Sequence, residues 1–251
     1  PMGRGGQISL IQANVRDDAS VARAVEGATD VINLAGILSE RGRQRFVEVH
    51  ANAPGRIGRA AAKASVTRMI HVSALGATAD ASSAYARSKA AGEIALREAF
   101  PNASILRPGV MFGTEDNFLN KFGALARISP VLPLFFAIRQ KPKFRREGLY
   151  LVPEIEAGMT RMQLVFVEDV AEAMTRIIGQ IEDESAGKTY ELGGPNIYSF
   201  RQLMELVVKE TQYKRLLVPV PYFIADIMGF FAQFMPDPMF TADQAKMLRD
   251  D

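Results

Sequence analysis

The fold is decided by residues 69–108, which read MIHVSALGATADASSAYARSKAAGEIALREAFPNASILRP. Residues 69–72 form a short apolar run that is typical of a buried strand. Residues 83–100 carry Ala, Lys, Glu and Leu throughout, which favours a helix, and Pro101 ends it. Residues 104–106 form a second short strand. A strand, a helix and a strand at this spacing predict a βαβ unit with parallel strands.

The same alternation continues on both sides of this unit. Short apolar runs predict further strands at residues 8–13, 31–34, 164–167 and 189–192. Helical spacing of apolar residues predicts further helices at residues 19–28, 43–64, 118–128, 168–181 and 199–211. Pro54 either kinks the second of these helices or begins a new segment, and Ser199 caps the last one. The pattern predicts an α/β fold of Rossmann type, a doubly wound parallel sheet.

The length and composition fit a large globular domain with a smaller lobe. The chain has 251 residues, of which 48% are hydrophobic and 23% are charged. This balance excludes a disordered tail, a collagen-like fibre and a coiled-coil rod. The strand and helix pattern loosens beyond Pro108. We therefore predict a Rossmann-type domain over residues 1–132 and a smaller C-terminal lobe over residues 133–251, intertwined with the sheet.

Residue usage and charge exclude several kinds of site. The chain has no cysteine, which excludes disulfides, thiolate metal sites and cysteine nucleophiles and favours a reducing compartment. Its two histidines, His50 and His71, argue against a histidine metal site, so we predict no metal. A net charge of +2 gives no argument for nucleic acid. Residues 1–30 lack the apolar core of a secretion signal, so the protein is not expected to be secreted.

Tyr85 and Lys89 form a Y-x-x-x-K pattern near the start of the helix predicted at 83–100. Residues four apart share one face of a helix, so the phenol and the ammonium can reach one ligand. A nearby cation lowers the pKa of a tyrosine from about 10 toward the range of a general acid or base. The same spacing also arises by chance on a solvated helix face, with Tyr85 half-buried, and the pattern alone leaves both interpretations open.

Three other stretches place small or polar residues where predicted strands end. Ser73 ends the strand at 69–72, residues 33–36 (NLAG) end the strand at 31–34, and residues 107–113 (RPGVMFG) follow the strand at 104–106. The carboxyl ends of parallel strands form the edge at which α/β sheets bind ligands. These stretches therefore join the tyrosine and the lysine in one candidate site.

Together, these motifs resemble the short-chain dehydrogenase/reductase superfamily in its extended or atypical branch. The resemblance runs from Ile8 to the C-terminus and implies a nucleotide-binding domain that takes NADP or NAD. Ser73, Tyr85 and Lys89 match the family's catalytic triad. In that triad the tyrosine is the acid and base, the serine orients the substrate and the lysine holds the nicotinamide ribose.

The resemblance also implies a set of cofactor-binding residues. These are Asn14, Ala35, Gly36, Ser73, Tyr85, Lys89, Pro108, Gly109 and Val110. Asn14 matches a polar residue beside the adenine, and the small residues of the N-x-A-G turn let the cofactor lie close to the backbone. The segment from Pro108 to Val110 matches the one that faces the carboxamide. Asp169 matches a V-x-D-V-A stretch and is interpreted as structural, a first-turn carboxylate favoured by the helix dipole.

The beginning of the chain departs from the family pattern. The G-x-G-x-x-G phosphate turn between the first strand and the first helix is absent, and Gly3, Gly5 and Gly6 precede a strand instead of following one. The chain also opens with Pro-Met. We expect a fragment that lacks the first βαβ elements and whose parent binds a nicotinamide cofactor through the missing loop. The alternative is a shortened protein that never bound nucleotide.

Longer strings narrow the resemblance to the nucleotide-binding accessory subunit of respiratory complex I and its bacterial relatives. They are residues 85–93 (YARSKAAGE), 112–120 (FGTEDNFLN), 188–195 (KTYELGGP) and 241–244 (TADQ). In that family the cofactor is thought to be structural. The resemblance implies complex I subunits as partners. It also implies a peripheral location on the cytoplasmic side of a bacterial inner membrane or on the mitochondrial matrix side.

Two stretches bear on membrane and partner contacts. The apolar run at 222–235 is too short to span a bilayer and presents one aromatic face, so it is either a helix packed on the lobe or a docking helix. Residues 133–163 form a long connection with five basic residues between 139 and 146. That run is either a solvated loop or a contact for anionic lipid or an acidic partner. No recognised module supports nucleic-acid binding.

Two functions remain open from the sequence. The first is a nucleotide-binding accessory or assembly subunit of respiratory complex I with a structural cofactor. The second is a soluble NAD(P)-dependent reductase or epimerase that uses Ser73, Tyr85 and Lys89.

Overall fold

The structure is a computed structural model. It describes residues 7–116, 118–136, 143–147, 150–154, 160–180 and 184–221, together with the single residues Ile224, Asp243 and Lys246. The predicted apolar helix at 222–235 lies outside the described residues except for Ile224.

Helices and strands alternate along most of the described chain. The helices are α1 (Asp18–Val25), α2 (Ala53–Lys63), α3 (Ala84–Ala99), α4 (Leu119–Ile128), α5 (Val167–Ile178) and α6 (Phe200–Thr211), and a π-helical segment, Val47–Asn52, leads into α2. The strands are β1 (Asp30–Asn33), β2 (Arg68–Val72), β3 (Ser104–Pro108), β4 (Val110–Phe112), β5 (Val131–Phe136), β6 (Lys143–Glu147), β7 (Tyr150–Glu154), β8 (Arg161–Phe166), β9 (Thr189–Leu192), β10 (Ile197–Ser199) and β11 (Leu216–Pro221).

A four-stranded sheet carries the predicted βαβ unit. Its strand order is β1-β2-β3-β9, and β2 pairs in parallel with both β1 and β3. In this register Asn33 lies opposite His71, and His71 lies opposite Ile105. Parallel strands joined by helices confirm the predicted α/β fold of Rossmann type.

The chain divides into two compact units, each with its own apolar core. The first unit consists of Pro1–Ser73, Ser88–Leu106 and Ile177–Tyr190, and the second of Ala74–Arg87, Arg107–Arg176 and Glu191–Asp251. The core of the first unit contains Val21, Ile57, Ala61, Val66, Met69, Leu96, Phe100, Ala103 and Ile105. The core of the second contains Ala126, Leu132, Leu134, Phe135, Met162, Leu164, Phe200, Leu203, Met204 and Val207. The sequence-based division at 132/133 stays a prediction.

Several local predictions are confirmed at the helix ends. Pro54 lies in the first turn of α2, so it begins a new segment after the π-helical turn. Ser199 caps α6, with its hydroxyl accepting from the backbone N–H of Gln202, and Glu168 and Asp169 lie in the first turn of α5. The Ser199 contact satisfies an amide that has no partner within the helix.

Two predictions about strands and loops are wrong. Residues 8–13 form no strand, and Leu10 is 96% exposed. An apolar run becomes a strand only where another strand pairs with it. The long connection at 133–163 is not a loop throughout, since β6 and β7 form an antiparallel hairpin within it. In the part of the chain that the structure describes, no helix is both long and apolar enough to cross a membrane.

Candidate functional site

Lys89 lies at the carboxyl edge of the first unit's sheet. It is only 5% exposed, and its ammonium donates a hydrogen bond to the carbonyl oxygen of Val72, the last residue of β2, at 3.1 Å. A Cβ placed on Gly36, just beyond β1, would lie 3.6 Å from Lys89 Nζ. Burial lowers the pKa of Lys89 to about 8, an effect opposed by Glu93 one turn further along α3. The structure thus brings together two of the predicted residues, Gly36 and Lys89.

His50 forms hydrogen bonds both with the turn after β1 and with α3. Its Nε2 accepts the backbone N–H of Ile37 at 3.0 Å, so Nδ1 of the neutral ring carries the proton and faces Ser88 Oγ at 3.0 Å. Phe46 stacks on the ring with 5.3 Å between centroids. Burial, and then the charge of Lys89, lower the pKa of His50 to about 3. His50 is therefore a neutral link between the two elements that carry Gly36 and Lys89.

His71 lies on β2 beside the same turn. Its Nδ1 accepts from Asn33 Nδ2 at 3.0 Å, and Asn33 Oδ1 accepts the backbone N–H of Ala35 at 3.1 Å. Burial lowers the pKa of His71 to about 3, and the charge of Lys89 adds to this. The ring is thus neutral, with its proton on Nε2. This network holds the backbone at Ala35, a predicted site residue.

Two buried polar atoms at the end of β2 have no hydrogen-bond partner among the described residues. They are His71 Nε2 and Ser73 Oγ, on side chains that are 1% and 4% exposed. Leaving such a group unpaired costs about 1–3 kcal/mol. Unpaired donors at the carboxyl edge of a parallel sheet fit a site that takes a polar ligand.

Tyr85 lies in the first turn of α3 and belongs to the second unit. The predicted lowering of its pKa is wrong, because burial of the phenol raises the pKa to about 12. Tyr85 is therefore a neutral hydrogen-bonding group at physiological pH. Two carboxylate contacts hold the helix start, since Asp243 accepts the backbone N–H groups of Ala84 and Tyr85 at 2.8 and 3.0 Å.

The remaining predicted residues are the segment from Pro108 to Val110, which belongs to the second unit, and Asn14, which belongs to the first. In the second unit, Gly109 donates its N–H to the carbonyl oxygen of Leu192 at 2.8 Å, and a Cβ on Gly109 would overlap the carbonyl oxygen of Gln163. The segment from Pro108 to Val110 thus needs glycine at its centre. Asn14 is exposed, and its Oδ1 accepts from the backbone and the guanidinium of Arg16, both at 3.2 Å.

Three contacting residues were not predicted from the sequence: His50 and His71 in the first unit, and Asp243, as the cap of α3, in the second. The histidines were considered only as metal ligands. Across the described ranges, no group of three or more His, Asp or Glu side chains could hold a metal ion. The small-residue turn at 33–36 was the one sequence signal near both histidines.

Comparison with known proteins gives a family match and several relatives. The chain matches the NAD dependent epimerase/dehydratase family over residues 1–193. It is 33% identical over 98% of its length to the mitochondrial NADH dehydrogenase [ubiquinone] 1 alpha subcomplex subunit 9 of Mus musculus, of which it covers 60%. It is 34% identical over 53% of its length to a ceramide reductase of Caulobacter vibrioides, of which it covers 42%. The chain thus spans about three-fifths of the length of the mitochondrial relative.

Solved structures with a similar fold share little sequence with the chain. A nucleoside-diphosphate-sugar epimerase of Staphylococcus aureus gives a TM-score of 0.69 at 15% identity, over 98% of this chain and 74% of that one. UDP-glucose 4-epimerase of Thermus thermophilus, in complex with NAD, gives 0.64 at 20% identity, over 88% and 74%. These likenesses agree with the Rossmann-type fold.

Proposed function

Because the chain belongs to the NAD dependent epimerase/dehydratase family, we propose that it binds NADP or NAD and serves as an accessory or assembly subunit of respiratory complex I. The cofactor has a structural role in this proposal. The observation that carries it is the identity of about 30% along nearly the whole chain to mitochondrial complex I subunits from mouse and from Arabidopsis thaliana. The chain covers 60% of each of these proteins, so their assembly role is transferred as a proposal.

The residues at the sheet edge fit a nicotinamide dinucleotide. Gly36 is exposed in the turn after β1, and Ser73 Oγ is a buried hydroxyl without a partner among the described residues. Lys89 and Tyr85 would hold the ribose of the nicotinamide half, and the segment 108–110 would face its carboxamide. When bound, such a cofactor supplies hydride-transfer chemistry.

The chain's own residues supply one charged donor, Lys89, with neutral side chains around it. With a pKa of about 8, Lys89 is mostly protonated at neutral pH and can donate to a sugar hydroxyl. His50 and His71 stay neutral and add no charge beside it. Neutral imidazoles can fill the space around a buried ammonium without repelling it, so they allow Lys89 to keep its proton.

The proposed location is peripheral, on the cytoplasmic side of a bacterial inner membrane or on the mitochondrial matrix side. The relatives from Mus musculus and Arabidopsis thaliana are mitochondrial proteins. The same proposal includes contacts with a membrane or with partner subunits. The basic stretch 139–146 and the apolar run 222–235 would make these contacts.

Native separation of membrane complexes tests the subunit role. The full-length protein is followed in its own cells after gentle solubilisation, and complexes are resolved by size. We expect it to co-migrate with NADH:quinone oxidoreductase. Migration alone in the soluble fraction would contradict the subunit role and favour an enzyme.

The second candidate is a soluble NAD(P)-dependent reductase or epimerase. It is favoured by the presence of Ser73, Tyr85 and Lys89 and by the 34% identity to a ceramide reductase over 53% of the chain. In this candidate Tyr85 is the acid and base, and Lys89 holds the nicotinamide ribose.

Tyr85→Phe separates the two candidates. For a structural cofactor, we expect the variant to assemble at the wild-type level and to bind the dinucleotide about fivefold more weakly, because one hydrogen bond of about 1 kcal/mol is lost. For an enzyme, turnover falls by about 10²–10⁴. Tyr213→Phe is the matched control, since Tyr213 is 39% exposed and contacts Arg215. Loss of turnover in Tyr85→Phe alone would overturn the structural role.

A further inference from the structure

Asp243 contacts the start of α3 from a distant part of the chain. Its Oδ1 accepts the backbone N–H of Ala84 at 2.8 Å, and its Oδ2 accepts the backbone N–H of Tyr85 at 3.0 Å. The two pairs are 159 and 158 residues apart in sequence. All three residues belong to the second unit.

These bonds provide acceptors for amides in the first turn of α3. The first four N–H groups of a helix have no partner within it. Asp243 takes two of them, and the side-chain oxygen of Ser83 takes a third, the N–H of Ala86, at 3.1 Å. A local serine and a remote aspartate therefore share the capping of one helix.

The remote carboxylate also supplies a charge that α3 lacks. No acidic residue lies in the first turn of α3. A negative charge at a helix N-terminus is stabilising because the N–H dipoles converge there. Asp243 thus contributes both hydrogen bonds and a favourable charge to the turn that carries Tyr85.

We propose that Asp243 is a positioning residue for the dinucleotide site. It holds the backbone of Tyr85, so the first turn of α3 is already ordered when the cofactor binds. This inference rests on the proposed function, because it takes Tyr85 as a cofactor contact. When only a fraction of the molecules has that turn formed, the apparent dissociation constant rises in inverse proportion to the fraction.

Two variants of the full-length protein test the inference. Asp243→Ala removes both acceptors, and Asp243→Asn keeps one acceptor oxygen and the size of the side chain. Binding of NADH and of NADPH is titrated through the fluorescence of the dinucleotide. We expect about three- to tenfold weaker binding in Asp243→Ala, within the range that loss of an N-cap allows, and a smaller change in Asp243→Asn.

Amide hydrogen exchange supplies the second readout. In Asp243→Ala, the amides of Ala84 and Tyr85 should exchange about tenfold faster, since both lose their acceptor. Asp116→Ala is the matched control, because Asp116 Oδ1 caps α4 in the same unit by accepting the N–H groups of Phe118 and Leu119 at 2.9 and 2.6 Å. That variant removes a cap of the same kind from a helix that carries no predicted site residue, and we expect wild-type dinucleotide affinity for it.

The outcomes separate the inference from the function on which it rests. Faster exchange at Ala84 and Tyr85 with weaker binding in Asp243→Ala, and unchanged binding in Asp116→Ala, support it. Faster exchange with unchanged binding overturns it and leaves a cap with no influence on the site. Equal weakening in both alanine variants also overturns it, since general destabilisation then explains the effect. If the wild-type protein binds neither dinucleotide, the proposed function fails and the inference fails with it.

Discussion

Lowering the pH from 7 to 5 is expected to reduce the free energy of unfolding by about 4 kcal/mol. The chain has two histidines, and the pKa of each lies near 3 in the folded state instead of 6.5. Burial is the largest cause for both, and the charge of Lys89 adds to it. Below pH 6.5 the unfolded chain binds protons that the folded chain does not. This part of the stability is therefore complete above pH 6.5 and is lost progressively as the pH falls toward 3.

Denaturant unfolding at pH 7, 6 and 5 measures this loss. The control is a double variant, His50→Gln with His71→Gln, whose stability we expect to change by less than about 1 kcal/mol over the same range. No other side-chain type has an ordinary pKa within this window. The double variant is less stable than the wild type at pH 7, so the quantity compared is the change with pH. An equal change in both proteins would contradict the assignment to the histidines.

Gly92→Ala is expected to destabilise the protein by about 3 kcal/mol. Gly92 lies in the middle of α3, where alanine normally stabilises a helix by about 1 kcal/mol relative to glycine. Here an added Cβ would overlap the carbonyl oxygen of His50 and would lie 3.0 Å from Pro54 Cγ. The backbone of the π-helical segment would have to move away from α3, and His50 would move with it.

Gly123→Ala is the matched control for this substitution. Gly123 also lies within a helix, α4, and a Cβ there would lie 3.8 Å from Thr211 Cγ2, an ordinary contact. We expect Gly123→Ala to raise the free energy of unfolding by about 0.5–1 kcal/mol. Thermal and denaturant unfolding measure both variants. If Gly92→Ala raises stability as Gly123→Ala does, the close packing of the π-helical segment on α3 is wrong.

The sequence predicted most clearly the elements that have a strong local signal. The run at 189–192 is β9 as predicted, and the helix at 83–100 differs from α3 by one residue at each end. β5 and β11 were missed because prolines interrupt their apolar runs. Proline donates no backbone hydrogen bond and so argues against a strand. The two strands nevertheless pair in parallel.

The spacing of the candidate site residues along the chain could be read from the sequence. Their burial and their hydrogen-bond partners could not. The four-residue spacing of Tyr85 and Lys89 predicted a shared helix face. The burial that raises the pKa of one and lowers that of the other depends on the packing of distant segments. His71 and His50 contact residues 38 positions away, Asn33 and Ser88 respectively, and one sequence carries no local signal for such pairs.

Because Asp243 lies far along the chain from α3, its cap can form only late in translation. A ribosome adds about 5–20 residues per second. Since 158 residues separate Tyr85 from Asp243, the carboxylate is added about 8 to 30 s after the tyrosine. Until then, water must accept the hydrogen bonds of the first two amides of α3. A chain released before residue 243 is made keeps the helix with Tyr85 and Lys89 but lacks the carboxylate that holds its first turn.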